Sequence, residues 1–107
     1  MRVMRLLVMF DLPTGSKAER RSYAEFRKFL VKDGYHMEQF SIYSRLLLTR
    51  ESSTAHVERL RCNLPPAGVV TVLELTEKQY SSRLRLLNTN PPTSSHDEQG
   101  AQLTLVL

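Results

Sequence analysis

The stretch from Val3 to Glu19, VMRLLVMFDLPTGSKAE, decides the fold. Val3 to Phe10 is a nearly continuous run of Val, Leu, Met and Phe interrupted only by Arg5. A strand buried on both faces in the middle of a sheet reads this way. Its apolar run is too short for a secretory leader and stops at the carboxylate of Asp11. Asp11-Leu12-Pro13-Thr14-Gly15 is a turn, and Ser16 followed three residues later by Glu19 has capping-box spacing, each side chain satisfying a free backbone N–H. A helix is therefore expected from Ser16 to about Lys32. Tyr23, Phe26, Phe29 and Leu30 fall on one side of it, and Lys17, Arg21, Lys28 and Lys32 fall within about 60° of one another on the other.

Working outward, Asp33-Gly34 closes that helix, because Gly takes the left-handed conformation of a C-terminal cap. Tyr35 to Phe40 and Ile42 to Thr49 read as two strands of a tight hairpin. A second helix is expected from Ser52 to Asn63, with Val57, Leu60 and Leu64 on its apolar face, ended by Pro65-Pro66 and Gly68. Val69 to Leu75 is a fourth strand. The order β-α-β-β-α-β predicts an α+β, ferredoxin-like domain with both helices on one face of a four-stranded antiparallel sheet. Thr76 and Gln79 form another capping-box pair, and Arg83 to Leu87 alternates as a fifth strand would. Residues 1–87 are thus expected to form the domain and residues 88–100 a polar linker. Residues 101–107, with Leu103, Leu105 and Leu107 alternating, make a C-terminal strand able to swap onto another subunit.

The chain of 107 residues fits one domain, and its 41% hydrophobic and 24% charged residues are ordinary for a globular protein. No run of about 18 apolar residues predicts a membrane span. The lone Cys62 excludes an intrachain disulfide and fits a reducing cytoplasm. The net charge of +4 is unevenly placed: residues 1–32 carry eight basic and three acidic side chains, and the remainder nets −1. Gly-rich phosphate loops, H-E-x-x-H, C-x-x-C and G-x-S-x-G patterns are all missing, which removes several large enzyme classes.

What remains is a carboxylate and a basic face. Asp11, at the carboxyl end of the first strand, can bind a hard cation or simply initiate the turn. Lys17, Arg20, Arg21, Arg27, Lys28 and Lys32, with Arg2 and Arg5 nearby, can contact a phosphate backbone or form a solvated helix surface. His36, His56 and His96 lack metal-ligand spacing and read as solvated; Cys62 reads as a packing residue. Ser41 and Ser44 read as turn hydrogen bonders. The strands carry no aromatic run on which single-stranded bases would stack.

Four ordered motifs, MFDLPT ending at Thr14, YAEFRKFL from Tyr23 to Leu30, GYHMEQFSIY from Gly34 to Tyr43, and LTEKQ from Leu75 to Gln79, resemble the CRISPR-associated adaptation proteins of the Cas2 family, in the form found in single-effector systems. The likeness spans residues 3–87. It implies a homodimer in which each chain's last strands extend the partner's sheet, and a role in spacer acquisition. There the dimer bridges two dimers of an integrase subunit and holds double-stranded DNA by its backbone. It further implies that Asp11 is the magnesium ligand of an endonuclease or endoribonuclease acting on DNA or RNA. One Asp from each of two chains leaves waters and substrate phosphate to complete the six oxygens around Mg2+. An autonomous, toxin-like ribonuclease on the same fold is the rival expectation, and a small-molecule regulatory domain a third, though no feature of the sequence marks its pocket.

Overall fold

The computed structural model describes residues 3–48 and 50–87. The elements run β1 (Met4–Asp11), α1 (Lys17–Lys32), β2 (His36–Gln39), β3 (Ile42–Leu47), α2 (Arg50–Cys62), β4 (Val69–Thr76) and α3 (Glu77–Ser81). The sheet order is β2-β3-β1-β4, and every pairing is antiparallel. This is the ferredoxin-like arrangement that the element order predicts. No helix among the described residues is long and apolar enough to cross a membrane.

β1 is central, as its apolar text requires, and pairs along its whole length with β4. Its even-numbered side chains Leu6, Val8 and Phe10 face the helices and are buried. Phe10 anchors an aromatic cluster, its ring 5.2 Å from Phe26, 5.9 Å from Tyr23 and 5.8 Å from Tyr43. Leu30 of α1 and Leu60 of α2 complete the layer between helices and sheet. A domain of this size buries roughly two thirds of its unfolded surface, so this single layer carries most of the stability.

The odd-numbered side chains Arg5, Leu7, Met9 and Asp11 lie on the other face, which no long helix covers. β1 is thus fully buried on one face only, in place of the two that its composition suggests. By register, Ile42, Ser44 and Leu46 of β3 and Val69, Thr71, Leu73 and Leu75 of β4 share that open face. Leu46, Val69 and Leu73 are exposed there.

Three further readings change. Leu64 lies beyond α2 and is 50% exposed, because the chain leaves the helix at Cys62 before the two prolines. His56 is buried in place of solvated, its ring set edge-on to Tyr35 at 6.3 Å. Arg83 to Leu87 pairs with no strand, and Leu84, Leu86 and Leu87 are exposed, since a strand needs an edge to pair with. The expected linker and C-terminal strand, residues 88–107, lie outside the described residues, as does Arg2.

Candidate nucleic-acid interface and metal carboxylate

Asp11 is the last residue of β1 and is exposed. Three connections meet at its end of the sheet: residues 12–16 leading into α1, the Phe40–Ser41 turn, and residues 63–68 leading into β4. Each is fastened to β1. The Phe10 N–H donates to the Ser41 carbonyl at 3.0 Å, with Ser41 in the left-handed region at φ 63°. Gly68 has φ +101°, and a Cβ there would lie 2.7 Å from the Asp11 carbonyl oxygen and 3.0 Å from Leu12 Cα. Only glycine lets the β4 approach close over the Asp11 backbone. Phe40, at the tip of the hairpin turn, is 80% exposed.

α1 starts beside this end. The Ser16 side chain accepts from the Glu19 N–H at 3.1 Å, and the Glu19 carboxylate accepts from the Ser16 N–H at 3.0 Å, so the expected capping box is complete. Arg20 donates to the Thr14 carbonyl at 3.2 Å and ties the loop to the helix. Lys17, Arg21, Lys28 and Lys32 are exposed along the helix, a run of about 22 Å at 1.5 Å per residue. None of the ion pairs among the described residues engages them. Arg27 is exposed at the flank, and its Nε donates to the Tyr43 hydroxyl at 3.1 Å.

Arg5 belongs elsewhere. It is only 9% exposed, and its guanidinium donates through Nε and Nη2 to both carboxylate oxygens of Glu77, each at 3.0 Å. Nη1 faces the Ser44 hydroxyl at 3.4 Å. An arginine so enclosed, at the end of the strand opposite Asp11, is committed to Glu77 and is not presented to phosphate. Glu77 is held below its ordinary carboxylate value by that guanidinium. On the same face Glu38 accepts hydrogen bonds from Ser44 and Tyr80. Burial alone would raise the Glu38 pKa, but these bonds and the nearby Arg83 charge outweigh it and hold it low. The Tyr80 hydroxyl is pushed up by burial and by its bond to Glu38.

A second polar cluster joins the ends of the helices. Arg59 donates to Asp33 Oδ1 at 2.9 Å and to His56 Nδ1 at 2.7 Å, and the Arg45 guanidinium donates to the Asp33 carbonyl at 2.7 Å. Burial lowers the His56 pKa against the pull of Asp33, and burial pushes Tyr35 up to about 12. This cluster is a joint between α1, β3 and α2, far from Asp11 in the fold.

Among the described residues no group of three or more His, Cys, Asp or Glu side chains converges on a cation position. Asp11 is therefore a single carboxylate per chain. That donor set fits magnesium, which keeps several waters and takes one or two protein carboxylates together with phosphate oxygens. Sequence reasoning missed Gly68, Phe40, Glu38, Tyr80 and Arg83. Of these, Gly68 carried a signal, as a glycine between a proline pair and a strand.

The family model described as CRISPR associated protein Cas2 matches residues 4–83. The chain belongs to the Cas2 family. A relative from Acidovorax ebreus, named CRISPR-associated endoribonuclease Cas2, is 48% identical over 102 residues, covering 95% of this chain and 99% of its own length. The protein of the same name from Streptococcus mutans UA159 is 47% identical over 91 residues, 85% of this chain and 83% of the relative. That from Flavobacterium psychrophilum is 38% identical over 102 residues, 95% of this chain and 89% of the relative. The Cas2 match spans every described strand, with Asp11 and all of α1 inside it, and the relatives' shared name marks a nuclease family.

Proposed function

We propose that this Cas2-family chain acts as a homodimer that bridges double-stranded DNA in spacer acquisition, beside an integrase subunit, and that its intrinsic chemistry is magnesium-dependent phosphodiester cleavage at Asp11. One observation carries this reading: an exposed, rigidly framed carboxylate stands at the end of the sheet where a helix bearing Lys17, Arg21, Lys28 and Lys32 begins. Those cations, with Arg20 and Arg27 at the flank, attract the phosphate backbone without reading its sequence. Arg5 is left out of that set because Glu77 occupies it.

In the mechanism, Asp11 holds the cation from the strand end, and Gly68 keeps the Asp11 backbone in place by letting β4 approach. In the homodimer the Asp11 of a second copy would be the other carboxylate donor. Magnesium there supplies Lewis-acid neutralisation of the phosphate charge. The lysines and arginines of α1 fix the strand so that one phosphodiester stays over the carboxylate. A donor set this small supports slow turnover, since efficient two-metal nucleases clamp both attacking and leaving oxygens.

The relatives' name favours RNA, and one feature of this chain favours it too. The ring of Phe40, exposed at the Asp11 end, can stack on an unpaired base in a way that a duplex does not offer. An autonomous ribonuclease is therefore the second reading.

Both are tested by incubating labelled duplex DNA and single-stranded RNA with the protein, in magnesium or EDTA, beside Asp11→Asn. The expected result is duplex binding whose logarithm falls linearly with that of salt concentration, and cleavage reduced at least about 100-fold by Asp11→Asn or EDTA. Duplex binding insensitive to salt overturns the bridging reading. Cleavage confined to RNA, with no affinity for duplex, establishes the second reading, and cleavage that survives Asp11→Asn removes Asp11 from the chemistry.

A further inference from the structure

The cations of α1 are not held alike. Lys17, Arg21, Lys28 and Lys32 extend into solvent with no ion pair among the described residues, and each must give up rotamer freedom to meet a phosphate. Arg20 is tied to the Thr14 carbonyl of a loop. Arg27 is exposed as well, yet its Nε donates at 3.1 Å to a hydroxyl that belongs to the core.

That hydroxyl is on Tyr43, which is firmly fixed. Tyr43 is 2% exposed, and its ring stacks on that of Phe10 with 5.8 Å between centroids and 29° between planes. On β3 it pairs with Val8 of β1, so the sheet and the core both hold it. A buried phenol needs a hydrogen-bond partner, and a single N–H satisfies that need. Arg27 supplies one N–H out of the five that a guanidinium carries. With Nε committed, the edge formed by Nη1 and Nη2 is left, and among the described residues it makes no bond. Two parallel N–H groups on that edge match the two non-bridging oxygens of one phosphodiester.

The same packing joins this guanidinium to the Asp11 end of the sheet. Phe10, on which Tyr43 stacks, is the residue before Asp11, and its ring lies 5.2 Å from that of Phe26, the residue before Arg27. The anchor of Arg27 and the backbone of Asp11 are therefore parts of one packed unit, whereas the lysines of α1 reach out on free stems.

We propose that Tyr43 is a positioning residue that holds the Arg27 guanidinium as a preformed, two-pronged seat for one phosphodiester of the nucleic-acid backbone. The inference rests on the backbone binding proposed above and adds to it the pair of side chains that fixes the strand where the other cations attract it.

The test is binding of a short labelled duplex, by fluorescence anisotropy over a salt series, with a urea midpoint taken for every variant so that affinity is read per folded molecule. Tyr43→Phe keeps the ring and removes the hydroxyl. It is expected to weaken binding about three- to ten-fold at an unchanged salt slope, which is the cost of ordering one long side chain. Arg27→Lys keeps the charge without the fork and is expected to weaken binding by a similar factor. Adding Tyr43→Phe to Arg27→Lys should then cost less than about two-fold more, because the hydroxyl has no fork to hold. Arg27→Gln should in addition lower the salt slope by about one phosphate contact. A Tyr43→Phe chain or an Arg27→Lys chain that binds like the unmodified one overturns the inference and leaves backbone binding standing. So does a Tyr43→Phe loss that is as large in the Arg27→Lys background, since it then comes from the core and not from the guanidinium. Duplex affinity that ignores salt in the unmodified chain overturns the backbone reading itself, and the seat falls with it.

Discussion

Arg5 and Asp11 stand on the same face of one strand, about 20 Å apart along it, and meet opposite fates. Arg5 is enclosed by Glu77, Ser44 and Tyr80, which take its guanidinium at both edges and on one face. Asp11 ends in water, yet its backbone is gripped from two sides by the Ser41 turn and the Gly68 approach. A charge whose partners are inside the molecule contributes to the fold. A charge held in place with its side chain left open is available to something outside it. Type and position alone offered Arg5 to phosphate and Asp11 to a cation; their surroundings leave only Asp11 open to an outside ligand.

The sharpest way to break this contrast is Arg5→Ala. It leaves Glu77 without its buried cation and removes the guanidinium that lies against the Tyr80 ring. The expected cost is about 2–3 kcal/mol, read as a lower urea midpoint, since a part-buried pair loses one partner and the packed stem of Arg5 leaves the sheet. Salt-dependent duplex binding should stay unchanged per folded molecule. A loss of binding without a loss of stability would return Arg5 to the interface.

Gly68→Ala probes the other end with a smaller effect. The left-handed backbone and the overlap with the Asp11 carbonyl predict about 1–3 kcal/mol of destabilisation. The distinguishing expectation is that magnesium-dependent cleavage falls more steeply than stability does, while hydrogen exchange in α3 stays as it was. An alanine accepted with full activity would show that Asp11 needs no support from β4.

Acid separates the clusters with the smallest shifts. His56 has a folded pKa below its ordinary 6.5, so the unfolded chain takes up that proton first. Its contribution is complete above pH 6.5 and drains as pH falls through that value toward the folded one. Glu38 and Glu77, held below 4.5, give stability that is present above 4.5 and lost as pH falls through their folded values. Urea midpoints measured from pH 8 to pH 3 should decline in two stages. His56→Phe should remove the first stage, whose surroundings are Asp33, Arg45, Arg59 and Tyr35, and spare the second. A single-stage decline in the unmodified chain would contradict the separation.

Much of this was readable from residue order. The run from Val3 to Phe10, the pairs Ser16/Glu19 and Thr76/Gln79, and the punctuation at Gly34 and Pro65-Pro66 are local signals, and they placed every element to within a few residues. Asp11 was readable too, because a carboxylate that ends an apolar strand must lie at the sheet's end. Arg5 was not, since its partner Glu77 is 72 residues away and no spacing rule links them. Its context still held a warning, for an arginine within a central strand cannot stay unpaired. His56 was misread because burial on α2 depends on how α1 ends, at Asp33. The path of Arg83 to Leu87 was misread because alternation describes a strand's faces but supplies no neighbour for its edge.

That missing neighbour also bears on β4. Among the described residues its outer edge is unpaired, and from Val69 to Leu73 it offers valine, threonine and leucine without proline, glycine or charge. Such a segment is a template for its own kind, and Glu74 is the only ionised side chain in the strand to resist stacking of one copy on the next. A copy whose edge stays uncapped is therefore expected to self-associate, which ties the colloidal behaviour of the protein to the covering of those eight residues.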